Sequence, residues 1–150
     1  MWSTFKWLIS GAVIVVFSVS GRAQGVDEGK IEFLSSCAPC HGTDGKGKGP
    51  TSAALKTPPP DLTALAKENN GVFPAAKVSE TIDGRKSVSA HGSGEMPIWG
   101  FRYMASARMN VAPTVAPTTE ISRTLSRNIE FVIRSRILAL VDYLNRIQEK

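Results

Sequence analysis

The residues with the most specific chemistry are two cysteines and a histidine in the run Cys37-Ala38-Pro39-Cys40-His41. These are the only two cysteines in the 150 residues of the chain. Two thiols at this spacing lie on one side of a helical turn, where each can add to one vinyl group of a porphyrin. The imidazole that follows the second thiol can then ligate the iron. The motif therefore predicts one covalently attached haem c, with His41 as an axial iron ligand.

The cysteine pair could have three roles other than haem attachment. A redox-active dithiol is typical of a βαβ setting, which the sequence does not suggest. A zinc site could draw on His41 and His91, but adjacent Cys40 and His41 are poorly placed as two ligands of one tetrahedral ion. A disulfide would close too short a loop to constrain the unfolded chain much. Haem attachment is the favoured interpretation.

A second axial ligand is expected from a methionine. Met96 is followed by Pro97 in a glycine-rich segment, where a fixed backbone can hold a thioether. Met104, Met109 and His91 are weaker candidates, and an open iron site is a further alternative. A thioether favours Fe(II), so ligation by His41 and Met96 would raise the reduction potential.

The first 23 residues have the pattern of a secretory signal peptide. Lys6 supplies the positive charge, residues 7–19 are mainly apolar, and Gly21-Arg22-Ala23 resembles a cleavage site that leaves Gln24 first. The apolar run is shorter than the roughly 20 residues that span a bilayer. We expect a periplasmic protein with a single domain over 24–150. An uncleaved signal anchor is the alternative.

The remaining pattern predicts an all-α fold. No strand alternation and no internal repeat occur. The last helix is the clearest, because apolar residues recur along one face of it at Ile133, Ile137, Leu140, Val141, Leu144 and Ile147. Ile121 and Leu125 would continue this stripe toward the N-terminus, so the start of the helix stays open. Helices are predicted over 26–36, 61–71, 74–84 and about 128–148, and loops over 37–60, 91–100 and 104–119. In the first helix, Ile31, Phe33 and Leu34 are the candidate buried residues.

Charge is concentrated late in the chain. The whole sequence is 42% hydrophobic and carries 18 Lys+Arg against 13 Asp+Glu, which excludes disorder along its whole length. Residues 102–136 hold six arginines and two glutamates, a net +4. We interpret 102–127 as a basic loop insertion that either steers an acidic partner or forms a solvated face. Nucleic acid is not an expected partner.

The two ends of the mature chain resemble a known family. Gly29 and Phe33 stand eight and four residues before Cys37, and Tyr143 lies in the last helix. In this arrangement the chain resembles a class I bacterial cytochrome c. The resemblance implies that the first and last helices cross closely at Gly29, with Tyr143 as the aromatic partner of Phe33.

The haem loop and the methionine segment carry the same resemblance. The run from His41 to Pro50, HGTDGKGKGP, is similar to the haem loop of the family, and HGSGEMPIWG is similar to its ligand segment. The resemblance implies that the Pro50 carbonyl accepts a hydrogen bond from Nδ1 of His41. It also implies that Met96 ligates the iron and that Trp99 lies near the haem edge.

These residues predict a one-electron Fe(III)/Fe(II) carrier, without enzymatic activity. Its donor and acceptor are redox proteins of unknown identity, and Lys46 and Lys48 are candidate contacts for an acidic partner. It would meet a membrane only transiently or through a partner complex. Two alternatives stay open: a haem subunit of an oxidase or dehydrogenase, and an enzyme or sensor with an open iron.

Overall fold

A computed structural model describes residues 26–85, 96–109 and 118–149. These residues form helices and no strand, which confirms the all-α prediction. The predicted leader and His91 lie outside the described residues. The α-helices are α1 (Glu28–Glu32), α2 (Ala38–His41), α3 (Leu65–Glu68), α4 (Ala75–Asp83), α5 (Trp99–Met109) and α6 (Thr119–Arg146).

The first helix runs on into the cysteine motif. The Asp27 carboxylate caps α1 by accepting a hydrogen bond from the Lys30 backbone N–H at 3.0 Å. A π-helical turn, Phe33–Cys37, then leads directly into α2. The helix is thus longer than the predicted 26–36, and the loop begins at Gly42, whose φ of 81° ends α2. The cysteine motif is therefore held by a helix that starts nine residues before Cys37.

The first and last helices cross at Gly29. A Cβ atom on Gly29 would overlap the backbone carbonyl of Ala139 and lie 2.9 Å from Cβ of Tyr143. The Phe33 and Tyr143 rings pack beside this crossing, with centroids 5.2 Å apart. The close approach implied by the family resemblance is present, and it depends on the missing side chain of Gly29.

This crossing decides which face of the first helix is buried. Phe33 is fully buried, as predicted, but Ile31 and Leu34 are 52% and 40% exposed. Those two predictions are wrong because Gly29 and Phe33 turn the opposite face of the helix toward α6. The buried hydrophobic residues of the core are Phe33, Ala38, Ile82, Trp99, Tyr103, Ile129, Ile133, Ile137, Leu140, Val141, Tyr143 and Leu144.

A buried carboxylate joins α1, α5 and α6. Glu32 accepts hydrogen bonds from the Ser36 hydroxyl at 2.7 Å, the Tyr103 hydroxyl at 2.9 Å and Nη2 of Arg136 at 2.7 Å. The Arg136 guanidinium also lies over the Tyr103 ring, 4.2 Å from its centroid. Burial acts to raise the pKa of Glu32, but the three hydrogen bonds outweigh it and hold that pKa below its ordinary value. The carboxylate therefore stays charged and paired.

The predicted loop insertion over 102–127 is largely helical. Residues 102–109 belong to α5, and α6 begins at Thr119 behind Thr118, whose hydroxyl caps the Ile121 N–H at 3.3 Å. Trp99 and Tyr103, four residues apart, bury one face of α5. The sequence did not indicate this buried face, because Arg136, which lies over the Tyr103 ring, belongs to another helix. Residues 110–117 lie outside the described residues.

The two middle helices differ in their agreement with prediction. The helix from Pro74 to Gly84 is confirmed as α4, and Gly84 ends it with a φ of 62°. Of the helix predicted over 61–71, only α3 is helical. The Asp61 carboxylate does not cap a helix, because it accepts hydrogen bonds from the N–H and the hydroxyl of Thr63 in a local turn. Within the described ranges, no helix is both long and apolar enough to cross a membrane.

The crossing yields the first testable prediction. Gly29→Ala should destabilise the protein by about 1–3 kcal/mol, because the new Cβ forces α1 away from α6. The intrinsic helix preference of alanine works in the opposite direction. Lys30→Ala, at an exposed position of the same helix, should change stability by less than about 0.5 kcal/mol. Denaturant unfolding of both variants checks this, and equal midpoints would contradict it.

Candidate functional site

Both cysteines are free thiols in the same stretch of helix. Cys37 ends the π-helical turn and Cys40 lies in α2, and both are half-buried. Burial, helped by the charges of Glu32 and Cys40, raises the pKa of the Cys37 thiol to about 12. Sγ of Cys40 lies 3.2 Å from Oγ1 of Thr51. The Cys37 thiol therefore stays protonated, and the two cysteines form no disulfide with each other.

The loop after α2 folds back onto the end of that helix. The Gly47 N–H donates to the His41 carbonyl at 2.8 Å, and the Gly49 N–H donates to the Cys40 carbonyl at 3.0 Å. A Cβ on Gly49 would overlap the carbonyl of Pro39. Carbonyls at a helix C-terminus need such partners, and glycines bring the loop close enough to provide them. The loop thus fixes the orientation of the whole motif.

The His41 imidazole is held in its neutral form. Its Nδ1 atom is buried and has no hydrogen-bond partner among the described residues. Burial lowers the pKa of the His41 imidazole. The backbone of Pro60, as a hydrogen-bond acceptor, acts to raise that pKa, but it is the smaller effect and leaves Nδ1 without a formed hydrogen bond. A neutral imidazole has one nitrogen lone pair, which is the form that ligates a metal.

The backbone acceptor beside His41 differs from the one expected. The hydrogen bond expected from Nδ1 of His41 to the Pro50 carbonyl is not formed, and Pro50 is exposed. The backbone group that acts on the imidazole belongs to Pro60. The turn after Gly49 instead folds onto α2, where the Thr51 N–H donates to the carbonyl of Pro39 at 3.0 Å. Pro50 is thus exposed and forms no hydrogen bond with the imidazole.

The proline segment reaches His41 by packing on the glycine loop. The Leu62 N–H donates to the Gly45 carbonyl at 2.8 Å. A Cβ on Gly47 would overlap the carbonyl of Pro59 and lie 3.3 Å from that of Pro60. Gly47 and Gly49 were the available signal, since each of them lies against a backbone carbonyl that a side chain would overlap.

Met96 and Trp99 reach the same core from another segment. Met96 is half-buried and packs against the hydrophobic core, as does Cys37. Trp99 is buried at the start of α5. Among the other methionines, Met104 is half-buried and Met109 is 79% exposed. Of the three methionines in the described residues, Met96 and Met104 therefore have access to the core, and Met96 alone lies outside a helix.

An ion cluster beside this segment was not predicted from the sequence. Arg85 donates to Asp83 at 2.5 Å and to Glu130 at 2.7 Å, which links the end of α4 to α6. Hydrogen bonds from Arg85 and Arg134 lower the pKa of Glu130 to about 2. A Cβ on Gly100 would overlap the Asp83 carboxylate. Glu130 is 45 residues from Arg85 in sequence, so no local pattern indicates this link.

The geometry of the described residues supports neither a zinc site at the cysteines nor a partner contact at Lys46 and Lys48. Among residues 26–85, 96–109 and 118–149, no group of three or more metal-ligating side chains could hold a metal ion. Lys46 is engaged with Glu149, Nζ to Oε1 at 2.5 Å, although both side chains remain partly exposed. Lys48 is exposed beside the loop.

Comparison with known proteins gives one match. A family model described as Cytochrome c matches residues 26–146, which is most of the chain. Neither the curated proteins nor the solved structures include a significant match.

The glycine loop yields a prediction with a matched control. Gly47→Ala and Gly71→Ala both place alanine at a positive φ, at a shared cost of about 1–2 kcal/mol. Gly71 has nothing within 4 Å of its Cβ position, whereas Gly47 faces the Pro59 carbonyl. Gly47→Ala should therefore cost about 1–3 kcal/mol more than Gly71→Ala in urea unfolding. Equal losses would show that the Pro59 contact is easily displaced.

Proposed function

The chain belongs to the cytochrome c family, and from this premise we propose that it is a periplasmic mono-haem electron carrier with iron held by His41 and Met96. Membership implies covalently bound haem c and a role in haem-based electron transfer. The single haem, the ligand pair and the location are the specific content of the proposal.

The observation that carries the proposal is the geometry of the cysteine motif. Cys37, Cys40 and His41 follow one continuous helical path, both cysteines are free, and burial lowers the pKa of His41, which favours the neutral imidazole. These are the groups that two thioether bonds and one iron–nitrogen bond require. The residues therefore fit the cofactor that the family carries.

Each residue has a distinct role in this proposal. Haem c, when bound, supplies reversible one-electron exchange between Fe(III) and Fe(II). Cys37 and Cys40 fix the porphyrin covalently, and His41 offers a neutral imidazole as proximal ligand. Met96 offers a thioether, which favours Fe(II) and so raises the potential. With both axial positions taken by side chains, no position is left for a substrate.

The location and partners follow from charge and sequence. Residues 1–23 favour export to the periplasm. Arg102, Arg108, Arg123 and Arg127 are exposed on α5 and α6 and favour acidic redox partners, one donor and one acceptor. Contacts of this kind are small and transient.

A second candidate function, a haem subunit of an oxidase or dehydrogenase complex, is favoured by one observation. Phe131 and Leu138, seven residues apart on the solvent face of α6, are 72% and 61% exposed. Exposed apolar side chains that share one face are typical of protein interaction sites.

The proposal is tested first on the protein purified from the periplasm. Its intact mass should equal residues 24–150 plus one haem, and the haem should survive a denaturing wash. The oxidised protein should be low-spin, with the weak far-red band of a Met–Fe(III) bond. Retained residues 1–23 would refute cleavage, and a high-spin spectrum would favour the open-iron alternative.

Met96→Ala tests the axial ligand. It should abolish the far-red band and lower the midpoint potential by more than about 59 mV, a tenfold change in a one-electron equilibrium, because a ligand that favours Fe(II) is lost. Met109→Ala, at an exposed position, should change neither quantity. Loss of the band in Met104→Ala, with Met96→Ala unchanged, would assign the ligand to Met104 instead.

A further inference from the structure

We propose that Asp83, Arg85 and Glu130, the cluster between α4 and α6, form a positioning device that holds residues 96–100, here called the Met96 segment, in place for iron ligation. This inference rests on the proposed ligation by Met96. It adds a role for three residues that neither touch the cysteine motif nor belong to the predicted site.

Arg85 is the centre of the device. Its guanidinium is bidentate toward Asp83, with Nε at 2.5 Å and Nη2 at 2.9 Å, and it also donates to both carboxylate oxygens of Glu130, at 2.7 and 3.1 Å. The Arg85 side chain is 18% exposed, so these bonds are partly shielded from water. A planar guanidinium with four such bonds has little freedom to move. The end of α4 is thereby fixed to the middle of α6.

The cluster reaches the Met96 segment through Gly100. A Cβ on Gly100 would overlap Oδ1 of Asp83, and it would lie 2.6 Å from Nε of Arg85 and 2.7 Å from the Asp83 carbonyl. The backbone at the start of α5 therefore lies directly against the cluster. Gly100 is in the first turn of α5, where a carboxylate is also favoured by the helix dipole.

Met96 lies only four residues before Gly100. The intervening chain is short, and it ends at the buried Trp99, whose ring is 5.7 Å from that of Tyr103. A displacement of Gly100 away from the cluster would therefore carry Met96 with it. A thioether is a neutral ligand, so its occupancy of the iron depends on how firmly the backbone holds it.

The test measures how easily an added ligand replaces Met96. Imidazole is titrated into the ferric holo-protein, and loss of the far-red Met–Fe(III) band gives its apparent affinity. Glu130→Gln keeps the shape of the side chain but removes the charge that holds Arg85. Imidazole should bind to this variant roughly three- to tenfold more tightly than to the wild type, the scale of one weakened charge-assisted hydrogen bond.

Two control variants separate positioning from general stability. Arg134→Gln removes another partner of Glu130, at 2.9 Å, and leaves Arg85 in place. Asp27→Asn weakens the ion pair between Asp27 and Arg146, at 2.7 Å, at the far end of α6 and keeps an N-cap residue. Neither should alter the affinity for imidazole by more than about twofold, even where the unfolding midpoint falls.

The outcomes distinguish this inference from the proposed function. A wild-type protein without the far-red band would refute ligation by Met96. A wild-type protein with the band, and a Glu130→Gln variant with unchanged affinity for imidazole, would overturn the positioning role alone. An equal change in Asp27→Asn would also overturn it, because the effect would then follow global stability.

Discussion

The backbone contact between Gly29 and Ala139 is the constraint on which the site depends. Because no side chain separates α1 from α6 there, the next turn of the first helix must point Phe33 into the core. The π-helical turn that follows then delivers Cys37 beside the same core. The position of the cysteine motif is thus set by a packing contact eight residues earlier.

A second constraint acts from the opposite side of the motif. The loop of alternating glycines satisfies the carbonyls of Cys40 and His41 and places the proline segment, with Pro60, beside the imidazole. The motif is therefore held between a helix crossing that fixes its start and a loop that fixes its end. Such double support limits the reorientation of the His41 imidazole.

Local patterns were sufficient for part of this arrangement. The helix α4 and the apolar stripe of α6 depend on residues close in sequence and were predicted from them. The crossing at Gly29 joins residues far apart in sequence and was expected only from the family resemblance. The family resemblance implied Pro50 as the acceptor for His41, whereas the fold of the glycine loop brings the backbone of Pro60 to the imidazole. The helix α5 and the burial of Glu32 were missed because their partners, Tyr103 and Arg136, become neighbours only after folding. The cluster around Arg85 escaped prediction for the same reason.

The buried Glu32 has a consequence for protein engineering. Glu32 accepts hydrogen bonds from Tyr103 and Arg136, and these bonds join three helices. Removing any one of the three side chains would leave a buried polar or charged group without its partner, which destabilises the fold. Residues 96–109, which carry Met96, are therefore not a portable module. Grafting them onto a related scaffold would require Glu32 and Arg136 to be transferred with them, because Tyr103 would otherwise be buried without an acceptor.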